Sequence, residues 1–564
     1  MVINLYTADF ETTTDKNDCR VWAWAVCEIG NPDNFITGND IKTFLEWCWR
    51  NGSSKIYFHN LKFDGEFIIS ALFKYDFKYS ENRKLFSREF NALISDTGQF
   101  YTIKVKFDEK TVVEFRDSLK LLNYSVDAIA KAFALPISKL TLDYNQKREI
   151  GHILTDEEKA YIKNDTTIMA LALEKIFNMG FKKLTQGSCA LADYKEIIGK
   201  KTFSASFPPP SYDKDIRQSY KGGFVYLNPI YADKDIGEGN VLDVNSLYPS
   251  RMYFCKLPFG EGKYFEGEYK HDERFPLFIQ TFRCEFEIKE GKLPTIQLKG
   301  NFRFLPTEYV KSSNGDTVVL CLTSIDLDLF FKHYNVYNAE YIDGWKFRQT
   351  DTLFKKYIDK WMGEKIKASK EGNKTLRNWA KIMLNSLYGK FALNPECAKK
   401  HPYLDNGIVK YRTGEKETRE PLYLPVGTFI TAYARYYTIE SSQKIKEYSI
   451  NKYGVDMYVY SDTDSIHTLL PIDDLKELLD VDENRLGAWK HESTFKRARF
   501  LRAKTYIEEI DGVLNVTCAG MPDRCKNLVT WDNFHPGSVY EGKLLPSHTK
   551  GGIVLEENEF TIRV

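Results

Sequence analysis

Short apolar runs alternate with amphipathic stretches over the first 185 residues of the chain. Runs with the apolar and β-branched character of strands cover residues 3–10, 21–27, 55–58, 102–107 and 111–115. Longer segments that repeat apolar residues at the helical period cover residues 41–49, 125–133 and 155–178. Strands and helices in alternation are typical of an α/β domain, which we therefore predict over residues 1–185.

The pattern changes after this domain. Residues 207–211 contain three consecutive prolines and predict an extended break, and a strand-like run at 240–244 follows a glycine turn. Residues 255–355 are rich in aromatic and β-branched residues, which favours strands, whereas residues 352–393 lack proline and favour helices. After residue 520 we expect only short strands and a Gly-Gly turn at 551–552.

Length and composition limit the class of protein. A chain of 564 residues is long enough for three or four folded units, and 43% hydrophobic residues supply full-sized cores. The 79 basic and 78 acidic side chains nearly cancel, so a nucleic-acid partner would be held by local patches. The ten cysteines lack zinc-finger spacing, and no apolar run approaches the ~20 residues of a membrane span. We therefore expect a soluble cytoplasmic protein with reduced thiols.

Acidic residues follow two of the strand-like runs in the N-terminal half. Asp9 and Glu11 are separated by one residue and therefore point to the same side of the predicted strand. Asp64 follows another strand-like run, and Tyr161 and Asp165 lie at i and i+4 on one helix face. Two carboxylates as close as Asp9 and Glu11 cannot both stay ionised cheaply without a cation, but each of these fragments is a weak signal by itself. Asp9 and Glu11 alone are also compatible with a solvated strand end.

A second set of acidic residues occurs in the C-terminal half. Asp243 ends a strand-like run, and Asp462 and Asp464 lie at the tip of a hairpin predicted from two flanking apolar runs. Lys381 lies late in a predicted helix, with an asparagine and a tyrosine at helical spacings. The stretch 490–506 carries six basic residues against one acid, which predicts a patch for backbone phosphates.

In this order, the motifs resemble those of family B DNA polymerases that carry a proofreading 3′-5′ exonuclease. The three exonuclease motifs correspond to residues 9–12, 60–64 and 161–165. The polymerase motifs D-x-x-S-L-Y-P, K-x-x-x-N-S-x-Y-G and Y-x-D-T-D-S correspond to residues 243–249, 381–389 and 460–465. The resemblance implies an α/β multidomain protein with an RNase H-like exonuclease domain and a right-hand polymerase of palm, fingers and thumb. It also implies two Mg²⁺ or Mn²⁺ ions in each active site.

The resemblance assigns roles at the exonuclease site. Asp9, Glu11, Asp64 and Asp165 would hold the two ions, Tyr161 would orient the attacking water, and Lys139 would assist at the scissile phosphate. The residues that would grip the single-stranded primer end are Thr12, His59, Asn60, Phe63, Ser118 and Leu119. For His59, a structural role with its ring hydrogen-bonded inside the protein is an open alternative.

The resemblance also assigns the polymerase site. Asp243 and Asp464 would be metal ligands, with the Val244 carbonyl as a further ligand and Asp462 as a third acid. The nucleotide site would consist of Ser246, Tyr248, Lys381 and Tyr388. Lys381 would meet the triphosphate, Tyr388 would pack on the incoming nucleotide, and Tyr248 would exclude a 2′ hydroxyl, so the substrates would be dNTPs. The choice of a second basic residue at the triphosphate is open among Lys365, Lys367 and Arg377.

Three further motifs would contact DNA. Lys504 and Tyr506 match the K-x-Y motif at the primer terminus. The Y-x-G-G element that links the exonuclease and polymerase halves would be Tyr220, Gly222 and Gly223, and the T-x-x-x-R element that contacts the template would be Thr431 and Arg435. A plain turn and a pair on a helix surface are the alternative interpretations of these last two motifs.

Two long intervals, 244–380 and 390–461, separate the polymerase motifs. Such intervals are typical of the protein-primed family B polymerases of linear-genome Bacillus phages, which the segments 59–65, 492–498 and 518–521 also resemble. In that group, the first insertion docks a terminal protein that serves as primer. The second closes a ring around the template for processive strand displacement, and residues 404–408 would be the tip of its hairpin.

The resemblance divides the chain into consecutive parts. These are an exonuclease domain (1–185), a first palm part (186–255), terminal-protein region 1 (256–356), fingers (357–394), terminal-protein region 2 (395–421), a second palm part (422–520) and a thumb (521–564). The implied partners are primer-template DNA, single-stranded DNA, dNTPs and the terminal protein, with the enzyme acting as a monomer in the host cytoplasm. Two alternatives are a DNA-primed family B polymerase and a nuclease or DNA-binding relic. Loss of Asp243 or Asp464 would have indicated the relic, and both are present.

Overall fold

The computed structural model of the chain describes residues 3–143, 146–297 and 307–563. The strands of the N-terminal domain are β1 (Asn4–Thr12), β2 (Val21–Glu28), β3 (Asn31–Gly38), β4 (Ser54–Phe58), β5 (Lys78–Tyr79), β6 (Glu89–Ile94), β7 (Phe100–Lys106) and β8 (Val112–Asp117). Its helices are α1 (Ile41–Arg50), α2 (Leu61–Lys74), α3 (Val126–Ala132) and α4 (Asp156–Asn178).

These strands form one sheet in the order β3-β2-β1-β4-β8-β7-β6-β5, in which β1, β4 and β8 are parallel. Because the carboxyl ends of parallel strands meet at one edge, the residues that follow β1, β4 and β8 come together there. Helix α4 packs on β1 and β2, and a capping box between Thr155 and Glu158 fixes its first turn. The predicted α/β domain is confirmed. The sequence did not reveal α2, which is buried on most sides and therefore lacks an amphipathic period.

The rest of the chain contains further mixed elements. The first group is α5 (Gln186–Ile198), α6 (Lys200–Ser206), α7 (Asp213–Ile216), β9 (Val225–Leu227), β10 (Asp235–Ile236), β11 (Gly239–Val244), α8 (Leu247–Phe254), β12 (Leu257–Glu266), β13 (Leu277–Ile288), β14 (Ile296–Gln297), β15 (Tyr309–Val310), β16 (Val318–Thr323), α9 (Ser324–His333) and β17 (Tyr334–Thr350). The second group is α10 (Lys355–Lys370), α11 (Lys374–Ser386), α12 (Tyr388–Phe391), β18 (Glu396–Cys397), β19 (Lys400–Asp405), β20 (Ile408–Thr413), β21 (Glu417–Thr418) and α13 (Leu424–Tyr453). The last group is β22 (Tyr458–Asp462), β23 (Ser465–Thr468), α14 (Ile472–Leu478), β24 (Trp489–Phe495), β25 (Arg497–Arg502), β26 (Thr505–Ile510), β27 (Val513–Cys518), α15 (Asp523–Lys526), β28 (Val539–Thr549) and β29 (Gly552–Thr561).

A central sheet with the strand order β24-β11-β23-β22-β9 carries the second set of acidic residues. Strand β11 pairs with β23 so that Asp243 lies opposite Ser465, next to the turn that holds Asp464. The predicted acidic hairpin is thus confirmed as β22 and β23. A second sheet, β10-β25-β26-β27, lies beside it and contains Tyr506.

The two predicted insertions differ in form. The first contains the sheet β12-β17-β13-β16 and helix α9, which confirms the strands expected there; its residues 298–306 lie outside the described part of the chain. Between the two insertions, helices α10 and α11 pack on each other and confirm the helices expected over 352–393. The second insertion contains a hairpin of β19 and β20, called here the insertion hairpin, with Asn406 and Gly407 at positive φ in its two-residue turn.

The C-terminal segment forms a long hairpin of β28 and β29, called here the C-terminal hairpin. The expectation of short strands was wrong, since these strands have 11 and 10 residues. Their polar and apolar residues do not alternate regularly, so apolar alternation does not mark them, and pairing with each other across the turn at Gly551 extends them. In the described residues, no helix is long and apolar enough to cross a membrane.

Candidate active sites

The four N-terminal acids meet in one cavity. Asp9 and Glu11 lie on β1, Asp64 lies in the first turn of α2 and Asp165 lies in the middle of α4. All four line a cavity of about 630 Å³ at the carboxyl edge of the parallel strands. The left-handed backbone of Asn60 (φ 78°) turns the chain sharply from β4 into α2 and so brings Asp64 to this edge.

Burial makes these carboxylates hard to ionise together. Burial and the Asp165 charge raise the pKa of Asp9 to about 7, and burial and the Asp9 charge raise the pKa of Glu11 and of Asp64 well above their usual values. Burial also raises the pKa of Asp165, although Lys139 lies 3.1 Å away and opposes the shift. The Oδ1 atoms of Asp64 and Asp165 are buried without a hydrogen-bond partner. Divalent cations fit such a site, because they would neutralise the negative charge and could be coordinated by the two oxygens that lack a hydrogen-bond partner.

The residues predicted to grip single-stranded DNA divide into two groups. Thr12, His59, Asn60, Phe63, Lys139 and Tyr161 line the cavity. Ser118 and Leu119 do not line it: Ser118 is 1% exposed and its hydroxyl donates to the Phe58 carbonyl. The Ser118 hydroxyl is thus engaged inside the fold, and the DNA contacts of Ser118 and Leu119 stay predictions.

His59 fits the structural alternative. Its Nε2 lies 2.7 Å from the Tyr124 carbonyl and its Nδ1 lies 3.1 Å from the Ser118 hydroxyl, so both ring nitrogens have partners. Burial lowers the pKa of His59. Asp117, which the motifs did not identify, organises the same loop by accepting hydrogen bonds from the Asn60 and Leu119 amides at 3.1 and 3.0 Å.

The C-terminal hairpin covers the cavity of the four N-terminal acids, and no sequence motif indicated this contact. The residues of the C-terminal segment that line the cavity are Arg524, Leu544, Ile553, Val554 and Leu555. Since these residues lie some 400 positions from α4, only the folded chain brings them to the acids.

The second acidic site lies on the central sheet. Asp243 at the end of β11 and Asp464 in the turn after β22 are held together because the Val244 amide donates to the Asp464 carbonyl at 2.7 Å. Burial and the Asp464 charge raise the pKa of Asp243 to about 7, and burial raises the pKa of Asp464. Lys381 lowers the pKa of both by its charge.

Asp462 differs from these two acids. Lys504 Nζ lies 2.6 and 2.7 Å from its two carboxylate oxygens, and the Tyr460 hydroxyl donates to Oδ2 at 3.1 Å. Asp462 thus already has a cation and a donor, whereas Asp243 and Asp464 lack an ion-pair partner among the described residues. This supports two metal-binding carboxylates and a third acid that positions Lys504.

In the described residues, no three acidic, histidine or cysteine side chains already converge on one point as metal ligands. Mg²⁺ is usually held by one or two carboxylates together with substrate phosphates and water. Both acidic sites therefore fit ions whose coordination the substrate completes.

The expected nucleotide residues lie around the second site. Tyr248 and Tyr388 stack with ring centroids 4.1 Å apart and an interplanar angle of 25°. Ser246 has a left-handed backbone (φ 57°) that turns the chain from β11 into α8. Helix α11 ends at Ser386, so the expectation that Tyr388 continues the helix of Lys381 was wrong: the chain starts the new short helix α12 there.

The helical pair α10 and α11 carries a cluster of positive charge. Burial lowers the pKa of Lys365, and the charges of Lys381 and Arg377 lower it further. Of the three open choices for the second basic residue, Lys365 and Arg377 thus lie near Lys381.

The Y-x-G-G and T-x-x-x-R elements form one buried junction. Thr431 and Arg435 are 1% and 3% exposed, and Arg435 donates to both Asp326 oxygens at 2.7 and 2.8 Å and to the Gly222 carbonyl at 2.8 Å. In this structure the guanidinium of Arg435 is engaged by Asp326 and the Gly222 backbone, and the template contact of Thr431 and Arg435 stays a prediction. Arg435 fixes the segment after Tyr220.

The basic stretch 490–506 is partly neutralised by acids outside it. Arg497 and Arg499 both pair with Asp235 on β10. Tyr506 packs on Phe500 at 4.7 Å between ring centroids. The patch is therefore less positive than the sequence count suggested.

Comparisons with known proteins agree with these sites. The family model described as DNA polymerase type B, organellar and viral, matches residues 47–159 and 145–470. DNA polymerases of Bacillus phage M2 and Bacillus phage phi29 are 46% and 45% identical to the chain, with 99% of each chain covered. The DNA polymerase of Streptococcus phage Cp-1 is 33% identical, with 99% of this chain and 98% of that protein covered. The structure of phi29 DNA polymerase complexed with primer-template DNA and incoming nucleotide substrates has a TM-score of 0.92 and 43% identity, with 100% of both chains covered.

The fold and the paired carboxylates on the central sheet define a replicative DNA polymerase with exonuclease, palm, fingers and thumb domains. The chain belongs to the organellar and viral type B DNA polymerases, and the predicted resemblance to the polymerases of Bacillus phages is confirmed. The individual domain boundaries and residue roles stay predictions.

Proposed function

We propose that this polymerase proofreads with a 3′-5′ exonuclease, displaces the non-template strand processively and starts synthesis on a terminal protein in the cytoplasm of the phage host. The observation that carries the proposal is the presence of two separate carboxylate sites, each with raised pKa values, in one chain of this family. DNA synthesis and 3′-5′ excision are opposite reactions, and each requires a carboxylate site that can hold metal ions.

The exonuclease assignment is supported by the cavity around Asp9. When bound, divalent cations would supply charge neutralisation and an activated water for phosphodiester hydrolysis. Asp9, Glu11, Asp64 and Asp165 would hold them. Lys139, 3.1 Å from Asp165, would orient that carboxylate and meet the scissile phosphate. Phe63, which lines the cavity, offers an apolar face for a terminal base.

The synthesis assignment is supported by the central sheet. Asp243 and Asp464 would hold Mg²⁺ or Mn²⁺ ions that neutralise the triphosphate. The cluster of Lys365, Arg377 and Lys381 would receive the phosphates, since three cations at one place repel each other until an anion binds. The stacked pair Tyr248 and Tyr388 would lie beneath the sugar and select dNTPs.

Strand displacement is supported by the two hairpins. The turn of the insertion hairpin meets the turn of the C-terminal hairpin through an isolated bridge between Ile408 and Lys550. Such a junction would let the polymerase surround its DNA and hold the strands apart.

Protein priming is supported by the resemblance and by the separate sheet of the first insertion. A purified terminal protein from a related phage, incubated with this polymerase, Mg²⁺ and a labelled dNTP, tests it. We expect a dNMP joined to a hydroxyl of that protein and no product with Asp464→Ala. If the enzyme extends DNA primers but labels neither that protein nor the terminal protein of its own phage, it is an ordinary DNA-primed polymerase. The relic alternative is disfavoured because Asp243 and Asp464 are both present and held together.

A further inference from the structure

Three side chains from distant parts of the chain meet where helix α2 contacts the two hairpins. Glu66 lies in α2, Tyr411 in the insertion hairpin and His548 in the C-terminal hairpin. The Tyr411 hydroxyl donates to Glu66 Oε2 at 2.6 Å, and His548 Nε2 lies 3.3 Å from Glu66 Oε1. Each oxygen of one carboxylate is therefore engaged by a different hairpin.

Glu66 is 4% exposed, so water cannot readily replace these partners. Burial and the Glu66 charge raise the pKa of Tyr411, so this hydroxyl stays protonated and donates. The hydrogen bond to Glu66 also raises the pKa of His548. A buried carboxylate that loses a donor keeps an uncompensated charge, which is far more costly than the loss of an exposed ion pair. The bonds of Glu66 therefore contribute strongly to the docking of both hairpins.

Close packing surrounds these bonds. The rings of Tyr411 and His548 lie 6.0 Å apart in an edge contact. The turn residue Gly551 presses on the N-terminal domain so closely that a Cβ atom there would lie 2.2 Å from the Cys19 carbonyl oxygen. Helix α2 and the two hairpins thus form one continuous junction.

Other side-chain links also cross this junction. The Tyr79 hydroxyl lies 2.8 Å from Nδ1 of His401 in the insertion hairpin, and two further links are exposed ion pairs. Lys16 pairs with Glu556 of the C-terminal hairpin, but these side chains are 51% and 43% exposed. Arg412 of the insertion hairpin pairs with Glu81, and both are at least half exposed. Exposed ion pairs contribute little to stability.

We propose that Glu66, Tyr411 and His548 form a clasp that keeps the two hairpins closed against the N-terminal domain, and that this clasp sets how long the polymerase stays on a primer-template. The inference rests on the proposed function, in which the hairpins surround the DNA. On a primed circle, which has no end to slide off, surrounded DNA can leave only when part of the junction opens, so a weaker clasp shortens the residence time. Insertion of a bound nucleotide is unaffected, because Asp243 and Asp464 lie on the central sheet, away from the clasp.

The variant Tyr411→Phe tests the clasp because it removes one hydroxyl and leaves the ring. We expect its residence time on primed DNA, measured by extension in the presence of excess unlabelled trap DNA, to fall about tenfold. Single-turnover insertion of one dNMP should stay at the wild-type rate. His548→Ala, at a side chain that is 37% exposed, should shorten the residence time too and serves as the second variant if Tyr411→Phe folds poorly.

The matched control is Tyr403→Phe, which makes the same change at a 40% exposed tyrosine of the same hairpin. It should leave the residence time unchanged. Hydrogen exchange of the amides at 408–413 and 547–552 should rise in Tyr411→Phe and not in Tyr403→Phe.

Wild-type residence times in both Tyr411→Phe and His548→Ala would overturn the proposal, whether or not exchange rises, since opening of the clasp would then not limit release. A wild-type enzyme that itself leaves after a few insertions contradicts the proposed processive function instead. The wild-type measurement alone identifies that outcome, before any variant is compared.

Discussion

At the scale of single residues, the fold leaves Asp9 and Asp243 without an ion-pair partner among the described residues, whereas Asp165 and Asp462 each have a lysine. Asp9 and Asp243 each have a pKa of about 7 because burial and a neighbouring acid disfavour their charge. Asp462, with the same side chain, is paired with Lys504 and hydrogen-bonded by Tyr460. Whether an acid suits a metal ion or a positioning role therefore depends on the residues around it. The motif Asp-Thr-Asp does not contain that information.

The raised pKa of Asp243 predicts how metal binding depends on pH. Between its usual value of 3.8 and about 7, the folded protein holds a proton that the unfolded chain has lost, so the stability of the metal-free protein falls as pH rises through this window. A cation competes with that proton, so we expect Mg²⁺ to bind about tenfold more weakly at pH 6 than well above pH 7. Thermal unfolding without DNA should show a larger Mg²⁺-induced rise in Tm at pH 8 than at pH 6. Equal rises in Tm at the two pH values would contradict metal binding by Asp243. The variant Asp243→Asn separates the part of the Mg²⁺-induced rise that comes from this site from the part that comes from Asp9.

The two acidic sites should be separable by mutation. Asp243→Ala should abolish primer extension and leave degradation of single-stranded DNA intact, because the two sites lie on different sheets. The double change Asp9→Ala with Glu11→Ala should do the reverse and raise misincorporation. Gel assays of both activities with each variant check this. Undiminished degradation by the double variant would show that the N-terminal cavity is not the excision site.

At the scale of elements, the sequence predicted what local patterns encode. Strand β1, helix α4 and the hairpin around Asp464 follow from apolar periodicity and turn residues, and the resemblance of the motifs implied that the acids share a site. The pattern did not predict that Arg435 is buried on Asp326, because its partner comes from a helix 109 positions away. It also could not predict that Asp235 neutralises Arg497 and Arg499, since that acid lies outside the basic stretch.

The segment held by Arg435 passes directly against the acidic turn. A Cβ atom on Gly223 would lie 2.5 Å from Thr463 Oγ1, in the turn between Asp462 and Asp464. We therefore expect Gly223→Ala to displace this turn and reduce the rate of nucleotide insertion at least tenfold, while degradation of single strands continues. Gly237→Ala, where an added Cβ meets no atom within 4 Å, is the control. An insertion rate in Gly223→Ala equal to that of the control would mean that the turn tolerates the contact.

At the scale of the whole molecule, the ends of the chain meet. The C-terminal hairpin lines the cavity of Asp9, accepts an ion pair from Lys16 through Glu556 and packs against α2. The N-terminal acidic cavity is thus bounded by residues from both halves of the chain. No local pattern predicted this contact, because strands β28 and β29 show little apolar alternation and carry no signal of their partner.

Extension of a primed single-stranded circle, with dNTPs and Mg²⁺ but no helicase, clamp or single-strand binding protein, tests the central claim most directly. The measured quantity is product length in the presence of a trap that captures released enzyme. A polymerase whose hairpins surround the DNA should yield single products many circles long. Products that end at one circle would contradict strand displacement by the closed hairpins.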